Sequence, residues 1–338
     1  MVYGLLFIVY CSNSELRTPN PETPNPKPQT PNPKPQTPNH EPRTTNHKPQ
    51  TLTEENNNDW LYEISPKRKF IDLNFREIWR YRDLLFLFVE RDVVTVYKQT
   101  ILGPLWYFIQ PLFTSIIFTL VFNNIANIPT GNVPAFLFNL TGITAWNYFS
   151  QCLTGTSNTF RANAGIFGKV YFPRVIMPLS TVISNLLKLG IQLLILIVFY
   201  FYFIFKGFEL SPNLNLILFP VYVLMMALLG LGLGMIISAF TTKYRDLTVL
   251  VGFATSLLLY ISAVPYPLSE VTSKMPKYAW VVKYNPLTQI IEGFRFMILD
   301  MGTFSWLGFF YTLVISIVLF LLGLIIFNQT EKNFIDTV

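Results

Sequence analysis

The ionisable side chains in the body of this sequence decide which chemistry it can perform. Both histidines, His40 and His47, lie in a proline-rich N-terminal stretch, so the rest of the chain has no imidazole for metal binding or general base catalysis. Cys11 and Cys152 are the only cysteines, which leaves no thiolate metal site and no disulfide framework. The sequence therefore predicts no catalytic residue and no metal site.

A nucleotide-binding loop is missing too. The motif GxxxxGK[ST] needs its glycines because they let backbone N–H groups reach the phosphates. The nearest approach is Gly168-Lys169, which is followed by Val170 and has Asn163 at the position of the first glycine. Three glycines in a later apolar run fail the dinucleotide pattern and suit close helix packing instead: Gly230, Gly232 and Gly234. We expect no nucleotide and no cofactor in this chain.

Long apolar segments make up most of the chain, and any functional residue must be positioned by them. No Asp, Glu, Lys, Arg or His occurs between Lys98 and Arg161, an interval that fits two helical crossings of roughly 20 residues each with a turn between them. Four more apolar runs follow: Leu189–Phe205, Leu210–Thr242, Leu247–Ser269 and Met301–Thr330. The sequence predicts an all-α integral membrane protein with six transmembrane helices. No carboxylate lies mid-membrane, which disfavours proton or sodium coupling.

The basic residues indicate the orientation of these helices. With the segment before the first span placed inside, most of the cations lie on the inner side: Lys67, Arg68, Lys69, Arg76, Arg80, Arg82, Arg91, Lys98, Arg161, Lys169, Arg174, Lys243, Arg245 and Lys332. The outer side holds Lys206, Lys274, Lys277, Lys283 and Arg295. The positive-inside rule then places both termini in the cytoplasm. The net charge of +6 reflects membrane orientation and not nucleic-acid binding.

Residues 1–58 differ in composition from residues 59–338. The heptapeptide TPNPKPQ occurs twice in tandem, at Thr23–Gln29 and Thr30–Gln36, and then decays. Proline at this density blocks helix and sheet, and there is little apolar surface to bury, so the tail is expected to be disordered. It is either a spacer or recognition tail or a segment without a role in transport.

Two cytoplasmic segments are candidates for contact with a partner. Leu73–Thr100 places apolar residues near one helical face and charged residues elsewhere, which predicts a helix lying at the inner interface. It is either a generic amphipathic anchor or a functional element. Arg161–Met177, with the sequence RANAGIFGKVYFPRVIM, is a short basic and aromatic loop. An exposed aromatic residue beside cations would make a docking surface.

Several motifs resemble one family. Tyr81–Leu112 (YRDLLFLFVERDVVTVYKQTILGPLWYFIQPL) and Lys169–Pro178 (KVYFPRVIMP) are similar to segments of the permease subunits of type-2 ABC exporters for polysaccharides and polyol-phosphate polymers, such as O-antigen and teichoic acid. Further matches are Tyr244–Leu247 (YRDL), Ala263–Pro267 and Asn285–Arg295 (NPLTQIIEGFR). The resemblance runs from about Trp60 to the C-terminus, in order. The proline-rich tail lies outside it.

The resemblance implies a half-transporter of the bacterial inner membrane. Two copies would form the pore, and two separate ATPase subunits would bind ATP and magnesium below it. It assigns an ATPase-coupling role to Arg161, Lys169, Tyr171, Phe172, Pro173, Arg174, Tyr244, Arg245 and Asp246. It also makes the amphipathic helix a gate helix that contacts the ATPase, with Trp79, Arg82, Asp83, Arg91 and Asp92 as its candidate residues.

The segment between the fifth and sixth spans is predicted to contain short re-entrant helices. Asn285 before Pro286 is a good helix start, and Gly302 follows the expected end. The resemblance implies that paired helices here gate the outer mouth of the channel; the alternative is an ordinary interfacial helix. The candidate residues of this outer gate are Asn285, Pro286, Glu292, Phe294 and Arg295.

Aromatic residues of the first span are candidates for lining the channel. Trp106 and Phe113 are seven residues apart and share a helical face with Gln110, and sugar rings stack on aromatic faces. The alternatives are lipid contact or packing for the rings and a hydrogen bond to a neighbouring helix for Gln110. Lys188, a cation within a span, either snorkels to the inner interface or contacts an anionic lipid diphosphate.

The predicted function is a permease that exports a lipid-linked cell-surface polysaccharide in an ATP-driven complex. A type-2 ABC exporter of drugs or small lipids shares the fold, although it usually has a larger outer domain between the fifth and sixth spans. A membrane-embedded glycosyltransferase or acyltransferase is disfavoured because histidine and mid-membrane carboxylates are missing. A passive channel would need no ATPase partner.

Overall fold

A computed structural model describes Phe75–Lys98, Gly103 and Leu105–Ile335, except for Gly168, Tyr171, Arg245 and Thr303. The proline-rich tail, residues 1–58, lies outside the described residues. The described part is helical throughout and contains no strand. This confirms the all-α fold class.

Thirteen α-helices, numbered here along the chain, make up the described part. Two lie before the first span: α1 (Phe75–Arg80) and α2 (Arg82–Lys98), which a turn at Tyr81 separates. The long and intermediate helices are α3 (Leu105–Phe118), α4 (Ala135–Ser157), α7 (Ile176–Phe205), α8 (Phe219–Lys243), α9 (Leu247–Ile261) and α13 (Trp306–Ile335). The short connecting helices are α5 (Thr159–Ala162), α6 (Ala164–Phe167), α10 (Leu268–Lys274), α11 (Ala279–Lys283) and α12 (Pro286–Leu299). The predicted amphipathic helix is therefore two helices and not one.

Four helical segments among the described residues are long and apolar enough to cross a membrane: Leu105–Ile125, Ile176–Phe205, Leu214–Lys243 and Trp306–Thr330. The first continues α3 through a π-helical segment, Thr119–Ile125, and the third adds a 3₁₀ turn, Leu214–Leu218, before α8. The other two predicted spans correspond to α4 and α9. The six-span count stays a prediction, since α9 has only 15 residues and α4 is more polar than the others.

Helix α4 is polar because protein surrounds it. It packs against α3, α7, α8 and α12, and 16 of its 23 residues are buried. Two of its buried threonine hydroxyls are bonded within the helix: Thr141 donates to the Leu137 carbonyl at 2.9 Å and Thr144 to the Leu140 carbonyl at 2.8 Å. Polar side chains that neighbouring helices bury do not face lipid, so a helix in this position needs less lipid-compatible surface. Helix α4 is thus the centre of the bundle.

Glycines allow α8 to approach its two neighbours closely. A Cβ atom at Gly234 would lie 2.5 Å from Cβ of Thr156 in α4, and one at Gly232 would lie 2.6 Å from the Leu319 carbonyl oxygen in α13. Both distances are too short for a real side chain, so the contacts require glycine. The interpretation of these glycines as helix-packing residues is confirmed.

Candidate functional site

Helix α2 is attached to the bundle along one face. It packs against α7, and its Phe88 side chain is buried. Arg91 lies over the Phe88 ring, with Cζ 4.9 Å from the centroid, and forms an ion pair of 2.8 Å with Asp92. On the face that points away from the bundle, Trp79 of α1 is 70% exposed, and Arg82 Cζ lies 5.8 Å from its ring centroid. The candidate gate helix therefore packs against the bundle through one face and exposes Trp79 and charged side chains on the opposite face.

The loop between α6 and α7 folds back onto α2. The Phe172 ring lies 5.8 Å from the Phe88 ring and 5.9 Å from the Phe167 ring, and Phe172 is only 4% exposed. Arg174 is also buried and lies over the Phe167 ring at 5.0 Å. The expectation that this loop presents an exposed aromatic residue is wrong for Phe172, because the ring is used to join the loop to the helix. Its coupling role stays a prediction.

The contact is part of a longer row of buried rings. Phe167 packs against Phe160 at 5.9 Å, and Phe160 stacks on Phe327 of α13 at 4.5 Å. Phe88, Phe172, Phe167, Phe160 and Phe327, called the aromatic chain below, connect α2, the loop and the last span. Closely packed rings transmit displacement because protein interiors have low compressibility.

The exposed surface of the loop lies beside the aromatic chain. Val170 is 58% exposed, and the other exposed residues are Arg161, Ala162, Ala164, Gly165 and Lys169.

The end of α8 lies against the end of α4, because the Thr241 hydroxyl donates to the Ser157 carbonyl at 3.1 Å. Exposed Tyr244 and Asp246 follow α8, whereas candidates Tyr171 and Arg245 lie outside the described residues. This basic, partly apolar surface is suited to docking.

Helix α12 begins where the sequence predicts. The Asn285 side chain accepts a hydrogen bond from the Leu287 N–H at 3.0 Å, and its amide donates to the Ser262 hydroxyl at 3.0 Å. Pro286 occupies the first helical position. Phe294 is fully buried, 5.0 Å from the Phe219 ring. Ten of the 14 residues of α12 are buried by α4, α8, α13 and neighbouring segments, so protein covers most of this helix.

Arg295 is a buried clamp in α12. Its guanidinium donates to the Ala263 carbonyl at 2.9 Å, to the Val264 carbonyl and to the Glu292 carboxylate at 3.1 Å. It also lies over the ring of Phe138 in α4, with Cζ 3.7 Å from the ring centroid. Burial lowers the pKa of Arg295 to about 10 and the Glu292 carboxylate opposes this, so the guanidinium stays protonated at neutral pH.

Lys188 is half-buried at the junction of α2, α3 and α7. Its ammonium donates to the Asn185 side-chain oxygen at 2.8 Å and is 5.2 Å from the centroid of the Tyr107 ring. These residues line a cavity of about 350 Å³ between α2, α3 and α7. Snorkelling to the inner interface and contact with an anionic lipid diphosphate both stay predictions for Lys188.

Residues 83–299 match the family described as ABC-2 type transporter. The chain belongs to this family. A permease of Klebsiella pneumoniae, the O-antigen export system permease protein RfbA, is 28% identical over 255 residues, which are 75% of this chain and 94% of the relative. A protein of the same name from Myxococcus xanthus is 25% identical over 220 residues, 65% of this chain and 82% of the relative. As an ABC-2 family member the chain is a multi-pass membrane transport protein and not an enzyme.

The family match runs from α2 to the end of α12. It therefore includes the loop, the Arg295 clamp and Lys188, whereas Trp79 and Arg82 precede it. The channel candidates of this ABC-2 protein lie on α3, where Trp106 is 53% and Phe113 62% exposed; Gln110 is also exposed. The structure thus brings Trp106, Gln110 and Phe113 onto one exposed surface of α3.

Sequence reasoning missed the partners of two candidates in this ABC-2 domain. These partners are Phe88, which packs against Phe172, and Phe138, over which the Arg295 guanidinium lies. The sequence contains a signal for the contact between Phe138 and Arg295, namely the glycine at position 142 of α4. A Cβ atom at Gly142 would lie 2.6 Å from an Arg295 side-chain nitrogen. A glycine within a bulky helix indicates that another group approaches its backbone.

Proposed function

We propose that this chain is the permease subunit of an ATP-driven exporter that moves an O-antigen-like, lipid-linked polysaccharide across the bacterial inner membrane. The similarity to curated relatives carries the proposal: three proteins named O-antigen export system permease match the chain over 82% to 94% of their own lengths. The family match, residues 83–299, includes the loop before α7 and the helices α10, α11 and α12, so the similarity is not confined to apolar spans.

The energy for export would come from ATP that a separate partner protein hydrolyses. The sequence has no phosphate-binding loop, so two separate ATPase subunits would hold ATP and magnesium. The exposed basic surface around Lys169 and Val170, together with Trp79, supports a docking role. Two copies of the chain would form the pore, with the open α3 surface that carries Trp106 and Phe113 facing the partner copy or the channel.

The proposed topology has six spans and cytoplasmic termini. Helix α4 has 23 residues, which corresponds to about 35 Å and is sufficient for a crossing. Helix α9, with 15 residues, reaches about 22 Å and would cross together with the chain that follows it. The cations of the loop after α4, Arg161, Lys169 and Arg174, support a cytoplasmic location for this loop.

Coupling would proceed through the aromatic chain. When ATP draws the two ATPase subunits together, the docking surface moves with them, and the packed rings carry the displacement from the loop to α2 and to α13. The buried clamp at Arg295 would keep α12 fixed to α4, so that the outer gate moves with the bundle as one unit.

A drug or small-lipid exporter is the second candidate function. Such a protein usually carries a larger outer domain between its last two spans. Here residues 262–305 contain only three short helices, α10, α11 and α12, in the described part of the segment. This compact outer segment favours the polysaccharide exporter.

Deletion of the gene in the source bacterium tests the proposal. We expect surface polysaccharide to disappear and lipid-linked polymer to accumulate inside, and a plasmid copy of the gene to restore export. Surface polymer would be measured by labelling of intact cells and total polymer after lysis. Unchanged surface polysaccharide, with a new sensitivity to apolar drugs, would favour the second candidate instead.

A further inference from the structure

The cavity between α2, α3 and α7 carries positive charge. Arg91 from α2 and Lys188 from α7 line it together with one carboxylate, Asp92. Asp92 Oδ1 accepts two hydrogen bonds from Arg91, at 3.0 Å from Nε and 2.8 Å from Nη2, so these two side chains neutralise each other. No carboxylate of the described residues lies within 4.0 Å of the Lys188 ammonium. The cavity therefore keeps the charge of Lys188.

Lys188 also keeps donor capacity. An ammonium has three N–H donors, and the Asn185 oxygen accepts one of them, while the Tyr107 ring covers another side. The hydroxyl groups in the wall donate to backbone carbonyls, as Ser184 does to Ser180 at 2.8 Å. A ligand that completes this site must bring negative charge and acceptor oxygens. A phosphate ester supplies both.

The depth of the cavity matches that of lipid headgroups. Helix α7 has 30 residues, which corresponds to about 45 Å and exceeds the roughly 30 Å of a hydrocarbon core. Lys188 lies beside Tyr107, the third residue of α3, so it is level with the end of that span. Part of α7 before Lys188 thus extends beyond the hydrocarbon. A bilayer that covers these spans would place the ammonium at the boundary where phosphates of lipids are found.

One wall of the cavity continues into an apolar surface. Leu187 and Ile191 line the cavity, and Leu194 and Val198 follow on the same helical face, both exposed. A soluble anion would gain nothing from this surface, whereas the chain of a lipid would lie along it.

We propose that this cavity binds the phosphate group of a membrane lipid, with Lys188 as the cation and the guanidinium N–H groups of Arg91 that Asp92 does not use as additional donors. The lipid chain lies along Leu187, Ile191 and Leu194. Two classes of lipid present this chemistry, a glycerophospholipid and a polyprenyl phosphate. The inference rests on this cavity alone and does not depend on which molecule the complex exports.

Lipid binding by the purified full-length chain in detergent tests the site. Dioctanoyl phosphatidic acid, farnesyl diphosphate and inorganic phosphate are titrated in turn, and the Kd of each is measured by thermophoresis. We expect Lys188→Met to weaken binding of at least one of the two lipids about tenfold, since a charged hydrogen bond is lost. Arg91→Gln weakens it less, and Lys188→Arg retains it.

Lys206→Met is the matched control. Lys206 also lies over a tyrosine ring, that of Tyr202 at 4.8 Å, but it lies at the far end of α7 and does not line the cavity. The lipid whose Kd rises in Lys188→Met and not in Lys206→Met is the ligand class. Unchanged affinity of Lys188→Met for both lipids overturns the proposal. Inorganic phosphate binding as tightly as the lipids would overturn it as well.

A second variant keeps the test decisive. Arg91 has an exposed side chain, so if Lys188→Met does not elute as a single species, Arg91→Gln decides by the same criterion. The assay contains neither ATPase nor polysaccharide. Failure of lipid binding therefore leaves the export proposal standing, and failure of export leaves the lipid site standing.

Discussion

The ring of Phe172, in the loop between α6 and α7, packs against the ring of Phe88 in α2 with their centroids 5.8 Å apart. The two candidate cytoplasmic elements of this ABC-2 protein are therefore one mechanical unit and not two separate docking segments. Since both rings are buried, an ATPase would touch neighbours of the contact and not the contact itself.

Truncation of Phe172 should separate the movement of the loop from that of α2. We expect Phe172→Ala to leave a cavity between the loop and α2, to lower the free energy of unfolding by about 3 kcal/mol and to reduce export in cells. Phe172→Leu fills more of the space, so both its stability and its export should fall less than those of Phe172→Ala. The measurements are the apparent melting temperature of the purified chain and surface polysaccharide in intact cells.

Phe201→Ala is the control for this prediction, because Phe201 of α7 is largely exposed and its truncation leaves no comparable cavity. Normal stability and normal export in Phe172→Ala would mean that the aromatic chain does not carry the coupling.

The exposed part of the loop should bind the ATPase. Lys169→Glu combined with Val170→Asp reverses charge and removes apolar surface on exposed residues, so the stability of the chain should not change. We expect binding to the ATPase subunit to weaken by about 2 kcal/mol, the cost typical of a central interface residue. Co-purification of the tagged chain with its ATPase measures this. Lys277→Glu, an exposed change in the outer segment, is the control and should bind normally; equal recovery in both variants would refute the docking role.

Local signals in the sequence predicted elements well. Asn285-Pro286 predicts the start of α12 because an Asn cap and a proline at the first helical position act within one turn, and the hydrogen bond to Leu287 N–H confirms it. The charge-free interval after Lys98 likewise predicts α3 and α4, since the cost of charge in lipid acts on each residue separately.

Contacts between distant segments were not predictable in this way. The burial of Phe172 depends on Phe88 in another helix, and a phenylalanine beside cations has the same local sequence whether it docks a partner or packs inside. The span assigned to α4 shows the converse: its polar residues lower the hydropathy, yet protein contacts compensate for them. In both cases tertiary packing decides, and no local pattern reports it.

The clamp at Arg295 should be sensitive to one methyl group. A Cβ atom at Gly142 would lie 2.6 Å from a nitrogen of the Arg295 guanidinium, so Gly142→Ala must displace a group that donates hydrogen bonds to Ala263, Val264 and Glu292. We expect a loss of about 1–3 kcal/mol in the free energy of unfolding. Gly190→Ala in α7 is the matched control, because nothing lies within 4 Å of its added Cβ atom. Thermal unfolding of the two variants compares them, and equal melting temperatures would show that the clamp can move freely.

The open face of α3 should matter for export and not for folding. Trp106→Leu with Phe113→Leu keeps the surface apolar and the helix propensity high, so membrane insertion and melting temperature should stay unchanged. If sugar rings stack on these aromatic faces, loss of each ring removes up to about 1 kcal/mol of stacking and export should fall several-fold. Phe201→Leu, an equally exposed ring on α7, should export normally. Surface polysaccharide per unit of inserted permease is the measurement, and unchanged export in the double variant would assign these rings to contact with lipid or to packing in the proposed dimer.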